Sequence, residues 1–430
     1  MAASSPMGRW LRPGAFLALA VASRAGDPPA LDPVPRPGPP PEVKFEDLQK
    51  ARDRGIAFLL ASQRPDGAWG SGRMTKALNI TADPPGSLNA FQSGTTALCI
   101  EALCHIDPGT PEVAQAIDKA EAWLVGFLPK VRRGSEMELY NCWSHAYGIQ
   151  ALLALRERHA GDPKKQAELL ELVRGQVSML DRYEFAYGGW GYYDFGLITQ
   201  KADGIPTSFT TATALIALHQ AKEAGVAPTQ KVLDRALHSV LAQRFPDGAY
   251  AYSWQHRLRP RNGIDRPAGS LGRAPACNAA LRLWQGTDPI TDQVIKDWLD
   301  RLITRGGWLD LARKRPVPHE AFFQNSGYFY YYGQYYGAMC VTMLPESERP
   351  LYRAHLEAGL LALQEKDGSW WDYPLYDYHQ PYGTAYALTA LGWLEPKLAA
   401  RPAKAGLPNA PVAPAPAPPQ GGPTGAAAHP

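Results

Sequence analysis

Three aspartates follow a Gly-Trp step closely: Asp194 in Trp190-Gly-Tyr-Tyr-Asp-Phe, Asp310 in Gly307-Trp-Leu-Asp, and Asp372 in Ser369-Trp-Trp-Asp-Tyr. A carboxylate walled by aromatic rings is disfavoured in its charged form, so its pKa rises and it can serve as a general acid. An Asp beside a turn also bonds local backbone, and that reading stands beside the first. Asp377 and His379 share the stretch Tyr376-Asp-Tyr-His-Gln and are expected either as an orienting carboxylate–imidazole pair or as a solvated loop. His145 and the pair His319-Glu320 are lone candidates, for a ligand contact or for a structural role. No metal site and no cofactor is expected from these spacings.

A second set could hold a ligand rather than transform it. The stretch Tyr328-Phe-Tyr-Tyr-Tyr-Gly-Gln-Tyr-Tyr-Gly places seven aromatics in ten residues. Aromatics that continue round a helix either fill a core or wall a cavity, where phenols bond a ligand and ring faces stabilise a cation. Tyr328, Tyr331, Tyr332, Tyr335 and Tyr382, with His145, are the expected ligand contacts. Residues 256–273 carry five Arg against Asp265. Such a run suits a bidentate anion site or is a solvated loop.

The elements that must position these residues repeat. Arg54-Gly-Ile-Ala-Phe-Leu-Leu-Ala-Ser-Gln63-Arg-Pro-Asp-Gly67-Ala-Trp69 returns as Gly359-Leu-Leu-Ala-Leu-Gln364-Glu-Lys-Asp-Gly368-Ser-Trp370, and again at Gln243, Gly248 and Tyr250. Weaker copies end at Trp190 and Trp308. The anchors at 69, 190, 250, 308 and 370 lie 121, 60, 58 and 62 apart, which predicts a degenerate copy near 129. Each unit leads in with an amphipathic helix, turns at a Gly, and continues into a helix apolar nearly all round. The second helices are expected at 93–103, 142–155, 207–221, 276–284, 328–344 and 382–394. Alternating amphipathic and buried helices close most economically into an all-α, single (α/α)6 toroid of six helical hairpins over 43–400.

The ends read differently. Of 40 Pro, eight lie in 27–42 and nine in 401–430, so a Pro-rich linker and a Pro/Ala-rich tail are expected to be disordered. Residues 1–26 are expected as a signal peptide, from Arg9 and Arg12 ahead of a nine-residue apolar run, or as an Ala-rich leader. Export to the periplasm or envelope follows from the first, a cytoplasmic site from the second. The net charge of +3 over 430 residues argues against a nucleic-acid platform, and no apolar run approaches a membrane span. Five Cys without a CxxC pair read as small hydrophobes.

The Gln…Gly-x-Trp pattern resembles the repeat of squalene–hopene and oxidosqualene cyclases, whose α/α toroid is shared with protein prenyltransferase β-subunits. Arg54, Gly55, Phe58, Leu59, Gln63, Gly67 and Trp69 fill it, and Gln364, Gly368 and Trp370 fill its second half. The resemblance implies the toroid and an apolar, isoprenoid-type ligand. It does not carry over a catalytic site. The chain has no Asp-Asp pair for a class II cyclase acid, and no Asp two residues before Cys277 for the prenyltransferase zinc triad, though His379 matches its His. The expected function is therefore a terpenoid-cyclase- or prenyltransferase-like protein binding an apolar small molecule or lipid in an aromatic central cavity. The alternatives are a non-catalytic envelope scaffold and a carbohydrate-active α/α barrel.

Overall fold

A computed structural model of the chain describes residues 34–80, 82, 86–196 and 201–399. The expected leader (1–26), tail (401–430) and the first part of the Pro-rich linker lie outside them. The helices are α1 Phe45–Ser62, α2 Gly86–Ile106, α3 Pro111–Phe127, α4 Asn141–Arg158, α5 Pro163–Tyr183, α6 Ser208–Glu223, α7 Gln230–Ala242, α8 Ala274–Gln285, α9 Asp292–Arg305, the one-turn α10 Gly307–Asp310, α11 Tyr330–Met343, α12 Arg349–Ala362 and α13 His379–Leu394. The inner helices α2, α4, α6, α8, α11 and α13 each pack on the next, and α13 packs back on α2. That closed inner ring, with α1, α3, α5, α7, α9 and α12 outside it, is the (α/α)6 toroid. No helix among the described residues is long and apolar enough to cross a membrane. All five Cys are free thiols.

The repeat residues make one set of contacts wherever the pattern is kept. The indole N–H of Trp69, Trp190 and Trp370 donates to the carbonyl ten residues earlier, on Leu59, Leu180 and Leu360, at 2.8–3.0 Å. The backbone N–H of the same three donates to a Thr hydroxyl on the following inner helix, from Thr96, Thr211 and Thr384. Each Trp thus locks its outer helix to its inner helix through a fully buried ring. Gln63 donates to the Gly67 carbonyl of its own turn and to Ala116 of α3; Gln364 donates to Gly368 and to Ala51 of α1. The last unit therefore grips the first as the first grips the second, and the ring closes. Gly67 and Gly368 need their φ of +95° and +90°, and a Cβ there would lie 2.4 Å from a carbonyl oxygen of the neighbouring outer helix.

Two units depart from the pattern. Near 129 the expected degenerate copy is a short 3₁₀ turn, Leu128–Lys130, whose buried Leu128 caps α3 where Gln63 caps α1. The copy ending at Trp308 is corrected more strongly. Gly306 keeps a helical φ of −55°, so the chain runs on as α10 instead of turning. Leu309 is fully buried, while Trp308 is displaced outward and packs edge-on against Phe322 and Phe323. Helix α2 also begins earlier than the pattern predicts, at Gly86, whose backbone meets that of Gly134 too closely for a Cβ.

Candidate functional site

Because the inner helices run parallel, their N-terminal ends and the outer-to-inner connections gather at one end of the ring. A cavity of about 370 Å³ lies there. Of 23 lining residues, 14 are Phe, Tyr or Trp and none is charged. Helical spacing explains much of the wall: Trp143 and Tyr147 on α4, Tyr328 and Tyr332 at the start of α11, and Tyr382 and Tyr386 on α13 are i, i+4 pairs on one face. Helix α8 is Ala-rich and contributes no lining residue; Tyr252, from the connection before it, covers that sector. Phe209 packs edge-on against Phe329 at 4.9 Å and tilted against Tyr252 at 5.3 Å, the offset geometry aromatic rings prefer.

The phenols are largely satisfied within the wall. Tyr140 and Tyr193 share a hydrogen bond of 2.9 Å, Tyr147 bonds Tyr386, and Tyr332 bonds Thr213 and the Phe209 carbonyl. His319 Nδ1 donates to the Gln324 carbonyl, which leaves Nε2 to accept from Tyr328 at 3.1 Å; Tyr252 lies 3.2 Å from that hydroxyl. Burial pushes His319 below the usual imidazole range, so it is neutral at pH 7. Burial also holds the wall tyrosines protonated, with Tyr192, Tyr328 and Tyr332 raised well above their ordinary value.

One carboxylate reaches the cavity through an intermediary. Asp372 is fully buried, accepts the Tyr331 N–H at 2.9 Å, and accepts the hydroxyl of the wall residue Tyr382 at 2.7 Å. Burial pushes its carboxyl up to about 6, against the lowering by those two hydrogen bonds.

The structure does not bring the other acid candidates to the cavity. Asp194 is buried against Arg133 at 2.8 Å and accepts backbone N–H groups of Gly196 and Asp203, tying its own loop. Asp310 is exposed and pairs with Arg313. Asp377 accepts from Ser71 and Arg73, whereas His379 donates from Nδ1 to the Tyr376 carbonyl, so the two are not joined. Burial lowers His379 to about 4. His145 is held between Gln176 and Asn141 behind the wall and is likewise lowered to about 4.

Of the expected ligand contacts, Tyr328, Tyr332 and Tyr382 line the cavity. Tyr331 does not line it, and Tyr335 lies deeper in the ring, one turn along the face of Tyr332, where it packs on Tyr386 and donates to buried Glu101 of α2. The sequence reading passed over Tyr140, Tyr192, Phe209 and Tyr252. The i, i+4 spacing of Trp143 and Tyr147 at an inner-helix start was the available signal. Among the described residues, no group of three His, Cys, Asp or Glu side chains stands ready to hold a metal ion.

No protein-family model matches the chain, and no curated protein matches it in sequence. Solved structures do match. A cellobiose 2-epimerase from Spirochaeta thermophila is 16% identical, covering 82% of this chain and 99% of its own, with a TM-score of 0.50. A possible GH105 member from Klebsiella pneumoniae is 13% identical over 83% of this chain and 94% of its own, also at 0.50. The type II terpene cyclase MstE from Scytonema is 14% identical, covering 81% and 98%, with a TM-score of 0.44. The chain is similar to the first two in fold, an α/α toroid.

Proposed function

We propose that this protein binds an apolar, isoprenoid-type small molecule in the cavity at the N-terminal end of its inner helices. The observation that carries the reading is the lining, with fourteen aromatic side chains and no charge. The volume lies toward the small end of the ~300–1,000 Å³ usual for ligand sites. Ring faces and edges offer dispersion and, toward a ligand cation, quadrupole attraction. The wall hydroxyls bond one another, so they make little demand for a polar ligand. A sugar would fit less well. Its many hydroxyls need as many partners, and glycoside cleavage ordinarily needs two carboxylates flanking the bond, whereas the described lining has none.

The Asp372–Tyr382 contact supports a second reading in which bound ligand is also transformed. A carboxyl that titrates near 6 is a competent general acid or base toward a hydroxyl or carbonyl held at Tyr382. The same weak acidity speaks against direct protonation of an alkene.

Native mass spectrometry of the purified protein, alone and after incubation with farnesol, geranylgeraniol or cellobiose, tests both parts. The reading expects a stoichiometric adduct with a prenol and none with the disaccharide. A cellobiose adduct without prenol binding would overturn it. If Asp372→Asn binds the prenol and converts it as the parent does, the second reading fails.

A further inference from the structure

Four inner helices each line the cavity with a pair of residues spaced i, i+4. The pairs are Gly94 and Leu98 on α2, Trp143 and Tyr147 on α4, Tyr328 and Tyr332 on α11, and Tyr382 and Tyr386 on α13. The next position on each of those faces is three residues further on, about 4.5 Å deeper in the ring. Those positions hold Glu101, Gln150, Tyr335 and Thr389. A tier of polar side chains thus underlies the aromatic tier. Helices α11, α13, α2 and α4 are consecutive in the ring, so the four form one arc. None of them is more than 3% exposed. Helix α6, next round the ring, has Ile216 seven residues beyond its lining residue Phe209, and the arc ends there.

Hydrogen bonding within this arc is incomplete. The Tyr335 hydroxyl donates to the Glu101 carboxylate, 3.1 and 3.3 Å from its two oxygens, and the Tyr335 ring packs on Tyr386 at 5.0 Å. Among the described residues, the ion-pair neighbour of Glu101 is His105 alone, 3.8 Å away. Thr389 donates to the Ala385 carbonyl at 2.9 Å, which leaves its oxygen able to accept. Gln150 has a protein partner for neither its amide oxygen nor its amide nitrogen. A buried amide left in that state costs free energy, and a carboxylate has room for more than one donor. Helix side chains lean toward the N-terminus, and the N-termini of these helices are at the cavity end. Glu101 and Gln150, both long, are thus directed back toward the level of Leu98 and Tyr147 in the cavity lining.

We infer that the cavity takes its ligand polar end first, with one uncharged terminal hydroxyl reaching the floor made by Glu101 and Gln150. The inference rests on the reading that the cavity binds an isoprenoid-type molecule, and it names the class: a neutral alcohol. A hydroxyl is donor and acceptor at once, so it donates to the Glu101 carboxylate and accepts from the Gln150 amide N–H. The hydrocarbon chain then lies along the aromatic tier toward the mouth. A plain hydrocarbon leaves the floor groups without partners, and a diphosphate brings like charge against Glu101.

Titration calorimetry of the full chain with farnesol, farnesene and farnesyl diphosphate tests it. Farnesol is expected to bind at least about tenfold more tightly than either of the others. Two variants locate the preference: Gln150→Leu alone, and Glu101→Leu combined with Tyr335→Phe. Each should cut the advantage of farnesol over farnesene at least about fivefold, while farnesene affinity stays within about twofold of the parent. The first removes an amide that has no partner, and the second removes a donor and its acceptor together. Neither leaves a new buried polar group, so thermal midpoints should be kept, which separates loss of recognition from misfolding. Equal affinity of the parent for farnesol and farnesene overturns the inference while leaving the isoprenoid reading intact, since the floor then meets water and not the ligand. An alcohol preference that survives both variants overturns it as well, as does tighter binding of the diphosphate, which would put the polar end elsewhere. Binding of none of the three sinks the inference together with the reading it rests on.

Discussion

The first and fifth outer-to-inner connections begin from nearly the same motif and end differently. At Gly67-Ala-Trp69 the glycine takes a left-handed turn, the Trp is fully buried, and its N–H groups join two helices. At Gly306-Gly-Trp308 the chain stays helical, the Trp moves outward, and the segment that follows supplies Pro318 and His319 to the cavity wall and Phe322 and Phe323 to the surface. Where the repeat is kept, its residues hold the ring; where it is relaxed, the same length of chain is released to shape the cavity mouth.

The comparison is most easily broken at the anchors. Trp69→Ala or Trp370→Ala removes a buried ring and two interhelical ties, and should cost about 3–5 kcal/mol in chemical denaturation. Trp308→Ala should cost about 1 kcal/mol or less, because that ring is half-exposed. Equal losses at the three positions would erase the distinction between regular and relaxed units.

Next comes the pH dependence of the sixth connection, where regular anchor and site residue are two positions apart. The folded carboxyl of Asp372 is raised from its ordinary 3.8 to about 6. The folded state therefore holds its proton more tightly, and this group's contribution falls as pH rises from about 4 through 6. His145 and His379, lowered to about 4, act in the opposite sense, losing stability as pH falls from 6.5 toward 4. The difference between Asp372→Asn and parent isolates the carboxyl. It should shift in favour of the variant by up to about 3 kcal/mol between pH 4 and pH 7. A difference that is flat with pH would mean that Asp372 is ionised at little cost.

Smaller effects sharpen the same contrast at the glycines. Gly67→Ala or Gly368→Ala should destabilise by about 2 kcal/mol, from the left-handed φ and the carbonyl 2.4 Å from the new Cβ. Gly307→Ala meets nothing within 4 Å in a helical turn and should be neutral or stabilising by about 0.5–1 kcal/mol. Thermal midpoints of the three variants decide it.

The toroid was legible because its signals are local and repeated: a period near 60, a turn glycine and alternating helix character. The fifth copy misled because a Gly-Gly step admits both turn and helix, and neighbouring side chains chose between them. The cavity was legible only in part. Aromatics surround the Tyr-rich helix, so sequence could not tell Tyr328 and Tyr332, which line the cavity, from Tyr331, which does not, or from Tyr335, which lies a turn deeper against Glu101. Nor could spacing from a Trp say which aspartate lies behind the wall; Asp372 does so because Tyr382, from the next helix, reaches it.

Gly94 offers the most direct measurement of the ligand reading. It lies on α2 in the cavity lining, and a Cβ there would meet nothing nearer than 3.8 Å, so the backbone accepts a side chain and Gly94→Leu places one in the lining. Prenol binding by titration calorimetry, measured beside thermal stability, should be lost in a variant as stable as the parent or more so, since leaving Gly in a helix costs about 1 kcal/mol. Undiminished prenol affinity in a folded Gly94→Leu chain would place the ligand elsewhere and contradict the account.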